Sequence, residues 1–402
     1  MPATIKSRCY QEGIINLLMS KSIYLDYAAT TPVDARVMDV MLPYFGNSFG
    51  NPSSVHHYGQ IAEAAVDSAR ETVALVLNCK PDEIIFTSCG SESDNLALRG
   101  ALLARRWQDR PRLITSHLEH HAVSKTAAHL QKEYNLRLAW LPVDEYGMVT
   151  IGAMQEAARE GAELASIMLA NNEIGTINPI TELAVICHEK GILFHTDAVQ
   201  AAAYLDVDVQ KLGVDLLSLG AHKFYGPKGV GALYVRKGTQ LLPHLTGGGQ
   251  EFGLRAGTQN VPYIVGFAEA LRLAKEERLQ RTSHVVPLRD RLIGAILENI
   301  PDLMLTGHPR DRLPNHASFV FKGVDGNFLL QLLDSAGFAC SSGSACKTGN
   351  PEPSEVITSL GISREWALGS LRITLGKDST PGHIDAFLQE LPSLVSKARS
   401  LK

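Results

Sequence analysis

The sequence lacks long apolar runs and has no excess of basic charge. Its apolar stretches, such as the one in RLIGAIL, are much shorter than the roughly 20 residues that a membrane-spanning helix needs. Acidic residues (42) outnumber Lys and Arg (38), and the formal net charge is -4, so no basic field is available to hold nucleic acid or anionic lipid. Neither a nucleic acid nor a membrane is therefore expected as a partner.

Cysteines are few as well. The 402 residues contain six, and none of them form a CxxC pair, which excludes a dense disulfide framework. Free thiols in a reducing compartment fit this usage, and residues 1–21 lack the apolar core and cleavage site of a secretory signal. We therefore expect residues 1–21 to be a loose extension and the protein to be cytoplasmic.

The length of the chain predicts more than one domain. A chain of 402 residues exceeds the size at which a single hydrophobic core stops growing, and 45% hydrophobic with 20% charged residues is an ordinary globular balance. We expect a large domain at 33–280 and a small domain formed by 22–32 and 281–402. The small domain would carry the loop that contains Cys346.

Short β-branched runs alternate with amphipathic helical stretches from about residue 60 to 235. This rhythm predicts an α/β domain with a mostly parallel sheet flanked by helices, and the mixed order after residue 285 predicts a smaller α+β domain. Ligands gather at the carboxyl ends of the strands in such sheets, so functional residues are expected after the runs. The runs are EIIFTS, RLITSH, LAWLPV, ASIMLA, ILFHTD and LLSLGA.

A lysine and a carboxylate follow two of these runs. Lys223 comes just after LLSLGA, Asp197 ends ILFHTD, and Gln200 lies three positions further on. A lysine at such a place is ordinarily a surface charge, and Gln200 could simply be a polar residue at a helix start. Together, however, they suit pyridoxal phosphate, whose ring nitrogen needs a carboxylate to stay protonated and whose ring oxygen accepts a hydrogen bond.

A phosphate site is suggested by EIIFTSCGSESDNLALRG, which reads as a strand, a tight turn and a helix. Gly90 would let the backbone approach a ligand closely, and Ser91 offers a hydroxyl beside the helix amides that bind phosphate well. An ordinary helix capped by Ser91 is the alternative.

These stretches resemble the cysteine desulfurase family, within the fold-type I, class V aminotransferase-like enzymes. The resemblance covers about residues 22 to 376 and implies a fold-type I transferase that uses pyridoxal 5'-phosphate. The motifs are YLDYAATTPV, FGNPSSVHHYG, FTSCGSESDNLA, EHHAV, NNEIGTI, HTDAVQ, GAHKFYGPKGVGALYV, GGGQEFGLRAGT, SSGSAC and SLRITLG.

The resemblance also implies roles for individual residues. Lys223 would hold the cofactor, and His120 would stack over its ring and take part in catalysis. The paired His120 and His121 lack a third ligand at metal-binding spacing, so no metal site is expected. The cofactor-binding residues implied are Lys223, Asp197, Gln200, His120, Gly90, Ser91, Asn172, His222 and Thr258.

Substrate and partner follow from the same resemblance. Asn172 and Arg372 would bind the substrate. The planar guanidinium of Arg372 suits the substrate carboxylate. Thr258 resembles a residue that reaches the cofactor phosphate of a neighbouring subunit, which implies a homodimer.

Cys346 distinguishes a desulfurase from a transaminase, which needs no thiol. It lies in the Ser/Gly/Pro-rich stretch FACSSGSACKTGNPEPSEV, whose composition predicts a mobile loop, although a lone loop cysteine can be incidental. The expected reaction converts L-cysteine to L-alanine and leaves a persulfide on Cys346 for a sulfur acceptor or iron-sulfur scaffold protein. The alternatives are a selenocysteine lyase and, in another class, a non-catalytic scaffold for iron-sulfur assembly.

Four positions depart from the family pattern. Cys89 replaces a glycine, Gly220 a serine, Phe252 an arginine and Ala256 a serine. The missing hydroxyl at Gly220 is expected to weaken the binding of the cofactor phosphate.

Overall fold

The protein is described by a computed structural model that covers residues 22–104, 111–342 and 352–400. In chain order the strands are β1 (Ile23–Tyr24), β2 (Ile84–Thr87), β3 (Arg112–Ser116), β4 (Arg137–Leu141), β5 (Leu164–Ser166), β6 (Leu193–Asp197), β7 (Leu216–Gly220), β8 (Gly231–Val235), β9 (Leu303–Leu305), β10 (His316–Phe321), β11 (Phe338–Ala339) and β12 (Ser370–Thr374). The helices are α1 (Ala35–Met41), α2 (His57–Leu77), α3 (Gly90–Ala104), α4 (His121–Tyr134), α5 (Ile151–Ala158), α6 (Ile180–His188), α7 (Val209–Leu212), α8 (Val261–Asn299), α9 (Gly326–Ser335), α10 (Glu355–Ser359), α11 (Arg364–Ala367) and α12 (Pro381–Ser400).

The main sheet has seven strands in the order β2-β8-β7-β6-β5-β3-β4. Strand β8 is antiparallel to both of its neighbours, and the other adjacent pairs are parallel. The carboxyl ends of the six parallel strands therefore lie along one edge. The predicted α/β fold with a mostly parallel sheet is confirmed.

The strands are apolar along their length because both faces of the sheet are covered. In β2, Ile84 and Phe86 join one hydrophobic cluster while Ile85 joins the cluster on the opposite face, and Leu216 and Leu217 divide in the same way in β7. Alternate residues of a strand point to opposite faces, so a doubly covered strand needs a continuous apolar run. The six runs in the sequence have this physical cause.

Helix α8 joins the two parts of the chain. It is 39 residues long, begins after Asn260, whose side chain accepts a hydrogen bond from the Tyr263 amide, and contains Pro287. It packs on α1 and α2 near its start and on α12, β9 and β10 further along. The expected boundary at residue 280 therefore lies inside a helix, and the division into two domains stays a prediction.

Two smaller sheets complete the described structure. Strand β10 lies between β12 and β9, both antiparallel to it, while β1 pairs in parallel with β11. An isolated bridge joins Asp26 to Thr374, which brings the start of the described chain beside β12. Arg372 of β12 is thereby held next to Asp26. Within the described ranges, no helix is both long and apolar enough to cross a membrane.

Candidate active site

The segments that follow β2, β3, β5, β6 and β7 meet at the carboxyl edge of the main sheet around a cavity of about 240 Å³. Nine of the eleven predicted site residues line this cavity, and their individual roles stay predictions. The nine are Gly90, Ser91, His120, Asn172, Asp197, Gln200, His222, Lys223 and Arg372.

Lys223 ends the short 3-10 turn that follows β7. Its Nζ donates hydrogen bonds to the backbone carbonyls of Ala28 (2.6 Å) and Ala29 (2.7 Å). Burial, reinforced by the positive charge of Arg372, lowers the pKa of Lys223 to about 8. A lysine that loses its proton this close to neutrality can act as a nucleophile and as a base.

Asp197 is the last residue of β6 and is 6% exposed. Its Oδ1 accepts a hydrogen bond from the Val199 amide at 2.9 Å. Burial raises the pKa of Asp197, while the positive charge of Lys223, and that of His120 when it is protonated, act in the opposite direction. The residue thus offers a buried carboxyl group beside two groups that favour its anion.

His120 caps the start of α4. Its Nδ1 accepts a hydrogen bond from the Ala122 amide at 3.1 Å, so the neutral ring carries its proton on Nε2. Desolvation in the cavity wall lowers the pKa of His120, and Lys223 lowers it further against the opposing effect of Asp197. His120 therefore presents a neutral ring with a defined donor.

His222 and Gln200 contact the segment just after β1. His222 Nδ1 lies 3.2 Å from Thr30 Oγ1, and Gln200 donates to the Ala28 carbonyl at 2.9 Å. Burial lowers the pKa of His222 to about 4, with Lys223 adding to the effect, so its ring is neutral near pH 7. The Ala28 carbonyl is shared by Gln200 and Lys223, which ties the two side chains together.

The start of α3 forms the part of the cavity where the sequence predicts the phosphate site. The helix begins at Gly90, so Ser91 lies inside its first turn rather than at the cap. A Cβ at Gly90 would lie 2.5 Å from Val199 Cγ2, so the glycine allows the helix start to pack closely against the segment that follows β6. A Cβ at Gly220 would lie 3.4 Å from the Gly90 nitrogen, an ordinary contact, so position 220 borders the same helix end.

Arg372 lies where this cavity adjoins a second one of about 450 Å³, which His120 and Asn172 also line. Its guanidinium donates to the Asn172 backbone carbonyl at 2.9 Å and to Asp26 Oδ1 at 2.7 Å. Its buried Nε has no hydrogen-bond partner among the described residues. The cation is thus anchored on two sides and faces the junction of the two cavities.

Two buried acids were not predicted as site residues. Asp94 lines the first cavity and is 1% exposed, while Glu119 lines the second and is 4% exposed. In the described part of the chain, Asp94 Oδ1 and Glu119 Oε2 have no hydrogen-bond partner. Burial raises the pKa of Glu119 to about 8 and that of Asp94 well above its usual range. Asp94 lies four residues after Gly90, on the same face of α3, and this spacing could have revealed it.

Asp94, His120 and Asp197 offer ligand atoms that all lie within 4.8 Å of one another. By distance alone such a group could hold a metal ion. The expectation that the protein has no metal site stays a prediction.

Thr258 and Cys346 are the two predicted residues that the cavity does not include. Thr258 is exposed on the loop before α8. Cys346 lies outside the described residues. Ser342 and Glu352, which flank residues 343–351, both line the second cavity, so the chain on either side of Cys346 reaches the site.

The donors present fit pyridoxal phosphate. One cavity contains an amine of lowered pKa, a buried carboxyl group, a neutral imidazole and the first turn of a helix. In chemical type, the amine suits the cofactor aldehyde, the carboxyl group the ring nitrogen, the imidazole the ring face, and the helix turn the phosphate.

Comparison with known proteins gives a consistent result. Residues 23–387 match the family model described as aminotransferase class-V. The chain is 46% identical over 382 residues to the cysteine desulfurase IscS of Methanosarcina thermophila, covering 95% of this chain and 94% of that protein. A solved NifS-like protein superposes with a TM-score of 0.87 at 37% identity, covering 94% of this chain and 100% of the other. A structure described as SspA in complex with cysteine gives a TM-score of 0.77 at 34% identity, with 89% and 99% covered.

Proposed function

Because the chain belongs to the cysteine desulfurases of the aminotransferase class-V family, we propose that it uses pyridoxal 5'-phosphate to convert L-cysteine to L-alanine, with the sulfur transferred to Cys346. The observation that carries the residue assignment is the junction of the two cavities. Lys223 and Asp197 line the first, the flanks of the Cys346 segment line the second, and Arg372 lines both.

The cofactor would be held by residues of the first cavity. Lys223 would hold it covalently through Nζ, Asp197 would keep the ring-nitrogen proton in place, and His120 would cover the ring face. The backbone amides at Gly90 and Ser91 would bind the phosphate with the favourable dipole of α3. When bound, pyridoxal phosphate supplies an electron sink for the electrons released at Cα of the substrate.

L-cysteine would enter from the second cavity. Arg372 faces the junction of the cavities, and its guanidinium is the group best suited to the substrate carboxylate. The hydrogen bonds to Asn172 and Asp26 hold the guanidinium in place before the substrate arrives. The relative described in complex with cysteine supports this substrate.

Two residues would move protons. Lys223, with a pKa of about 8, would take the Cα proton at Nζ. His120, whose Nδ1 is occupied by the Ala122 amide, would use Nε2 to exchange a proton with the substrate thiol. The sulfur atom would pass from L-cysteine to the Cys346 thiol, so that L-cysteine and a thiol yield L-alanine and a persulfide. An acceptor such as an iron-sulfur scaffold protein would then receive the sulfur.

A homodimer is part of the proposal. Between the end of α1 and the first turn of α2 the chain exposes Phe45 (57%), Phe49 (68%) and Tyr58 (53%), and the loop that carries Thr258 exposes Phe252 (59%). Pro52 and Phe252 line one shared groove, so the two stretches adjoin. Several large apolar side chains exposed on adjoining stretches favour a protein interface. Burial in a dimer would bring Thr258 towards a neighbouring active site.

The proposal also includes a reducing, cytoplasmic location, which a reactive thiol requires. Cys79, Cys89, Cys187 and Cys340 are all free in the described part of the chain, which supports it.

The test measures alanine and sulfide formed from L-cysteine in the presence of a reductant, for the wild type, Cys346→Ala and Cys79→Ala. Cys79 lies just after α2 and does not line either cavity, so it is the matched control thiol. We expect the wild type and Cys79→Ala to form alanine and sulfide, and Cys346→Ala to form neither. If alanine formed from selenocysteine but not from L-cysteine, the protein would be a selenocysteine lyase. If the protein were colourless and inert, it would be a non-catalytic scaffold.

A further inference from the structure

A buried hydrogen-bond chain runs across three neighbouring strands beneath the first cavity. Ser166 Oγ lies 2.8 Å from His195 Nδ1, His195 Nε2 lies 3.0 Å from Ser218 Oγ, and Ser218 bonds the Asp94 carboxyl group. These residues lie on β5, β6, β7 and α3, and all four are essentially inaccessible to solvent. The chain ends at the cavity, because Asp94 lines it.

The protonation state of His195 limits which groups donate and which accept along this hydrogen-bond chain. Burial lowers the pKa of His195 to about 3, so the ring is neutral and has one donor and one acceptor nitrogen. If Ser166 donates to Nδ1, Nε2 donates to Ser218, and the Ser218 hydroxyl is free to donate to Asp94. Every member of the chain has a partner in this orientation, and the reverse orientation would require a protonated Asp94 to donate to Ser218. The first orientation leaves Asp94 Oδ1, which lacks a partner in the described ranges, as the remaining oxygen.

Asp94 and Asp197 form a close pair of buried carboxyl groups. One oxygen of each lies within 4.8 Å of the other and of a His120 nitrogen. Two carboxylates at this separation in a buried site repel strongly, so the pair retains one proton near neutral pH.

The surroundings decide which member of the pair keeps the proton. Asp197 accepts the Val199 amide and faces the positively charged Lys223, and both favour its anion. The acidic groups beside Asp94, first Asp197 and then Glu119 and Cys89, disfavour its anion whenever they are charged, and the nearby His195 is neutral. The Ser218 hydroxyl is the compensating donor.

We propose that Asp94 is a positioning residue, held as a neutral acid, that donates a hydrogen bond to Asp197 and so keeps Asp197 in its anionic form at the ring-nitrogen end of the cavity. The inference rests on the proposed function for the role of Asp197, while the protonation of Asp94 is a property of the protein alone. If the one proton of the pair lay on Asp197 instead of Asp94, the ring nitrogen would lose its anionic partner.

The first experiment reads the protonation directly. Infrared difference spectra at pH 7 compare the apoprotein with its Asp94→Asn and Glu92→Gln variants. Glu92 is the matched control, because it lies in the same turn of α3 and its ion pair with Arg255 lowers its pKa. We expect the wild type minus Asp94→Asn to show the carbonyl stretch of a protonated acid, and the wild type minus Glu92→Gln to show the stretches of a carboxylate. Carboxylate stretches from Asp94 would overturn the proposal.

The second experiment reads the consequence for the cofactor. Pyridoxal phosphate affinity is measured by titration of the apoproteins, together with the pH dependence of the visible band of the loaded forms. Asn keeps a neutral donor, so Asp94→Asn is expected to match the wild type in both. Asp94→Ala has no donor for Asp197, and loss of this proposed hydrogen bond to a charged group is expected to weaken cofactor binding about tenfold to a hundredfold.

The two experiments distinguish failure of the positioning role from failure of the proposed function. If Asp94→Asn binds the cofactor as weakly as Asp94→Ala, the positioning role is wrong. If the wild type does not bind pyridoxal phosphate, the proposed function is wrong, and the infrared spectra still decide the state of Asp94.

Discussion

Glu173 accepts a hydrogen bond from the Ser354 hydroxyl across the second cavity, which joins the segment after β5 to the chain that follows residues 343–351. Ser354 also accepts the amides of Val356 and Ile357 and so caps α10. One hydroxyl therefore fixes both a helix start and a contact between distant segments. Desolvation raises the pKa of Glu173 to about 7, against the opposing effects of Ser354 and Arg372.

The raised pKa of Glu173 predicts a pH-dependent stability. The folded state binds this proton more tightly than the unfolded state, whose value is 4.5, so the stabilisation is present below pH 4.5 and is lost as pH rises towards 7. Glu173→Gln removes this titration. We expect the variant to gain up to about 3 kcal/mol relative to the wild type between pH 5 and pH 8. Denaturant unfolding at the two pH values measures it, and an equal difference at both would contradict the shift.

Lys223→Ala is expected to abolish both cofactor retention and catalysis. The variant loses the amine that is proposed to bind the aldehyde and take the Cα proton, so alanine formation should fall roughly a thousandfold or more. The visible absorbance of the purified protein and its alanine formation are the measurements. Lys228→Ala, which removes an exposed lysine from the same turn, serves as the control and should behave like the wild type. A coloured, active Lys223→Ala would exclude this role.

Gly220→Ser is expected to strengthen cofactor binding. The added Cβ would lie 3.4 Å from the Gly90 nitrogen, and φ and ψ at Gly220 (-138° and 117°) are ordinary for a strand, so a serine fits without strain. Its hydroxyl would add one donor at the phosphate end and tighten pyridoxal phosphate binding about threefold to tenfold. Titration of the apoprotein tests this. Gly220→Ala adds only the methyl group, and an equal gain there would assign the effect to packing.

Phe49→Glu and Phe252→Glu are expected to separate the dimer. A carboxylate at the centre of an apolar interface is buried without a partner, which is strongly unfavourable. Sedimentation should show the wild type as a dimer and the two variants as monomers with reduced cofactor affinity. Val185, 53% exposed on α6, provides the control substitution Val185→Glu, which should leave the dimer intact. A monomeric wild type would refute the interface.

Sequence reasoning located the residues that come directly after strands. Lys223 and Asp197 were predicted from the ends of two apolar runs, and both line the cavity. Asp94 was missed because a polar residue in a predicted helix is ordinarily a solvated one, and Glu119, in the segment after β3, was missed because nothing in its local sequence indicates burial. Their burial depends on what packs over them, here β6, β7 and the segment after β5.

The sequence by itself determined the apolar strands of the main sheet, which functional side chains follow them, and the edge of the sheet where those side chains lie. This is possible because the alternation of faces and the breaks after strands are local properties of a few residues. The tertiary structure alone decided that Arg372 meets Asn172, 200 positions away, and that Asp94 shares a buried site with Asp197. Such contacts, and the proton distribution that they impose, depend on the packing of the folded chain and on the exclusion of water from its interior.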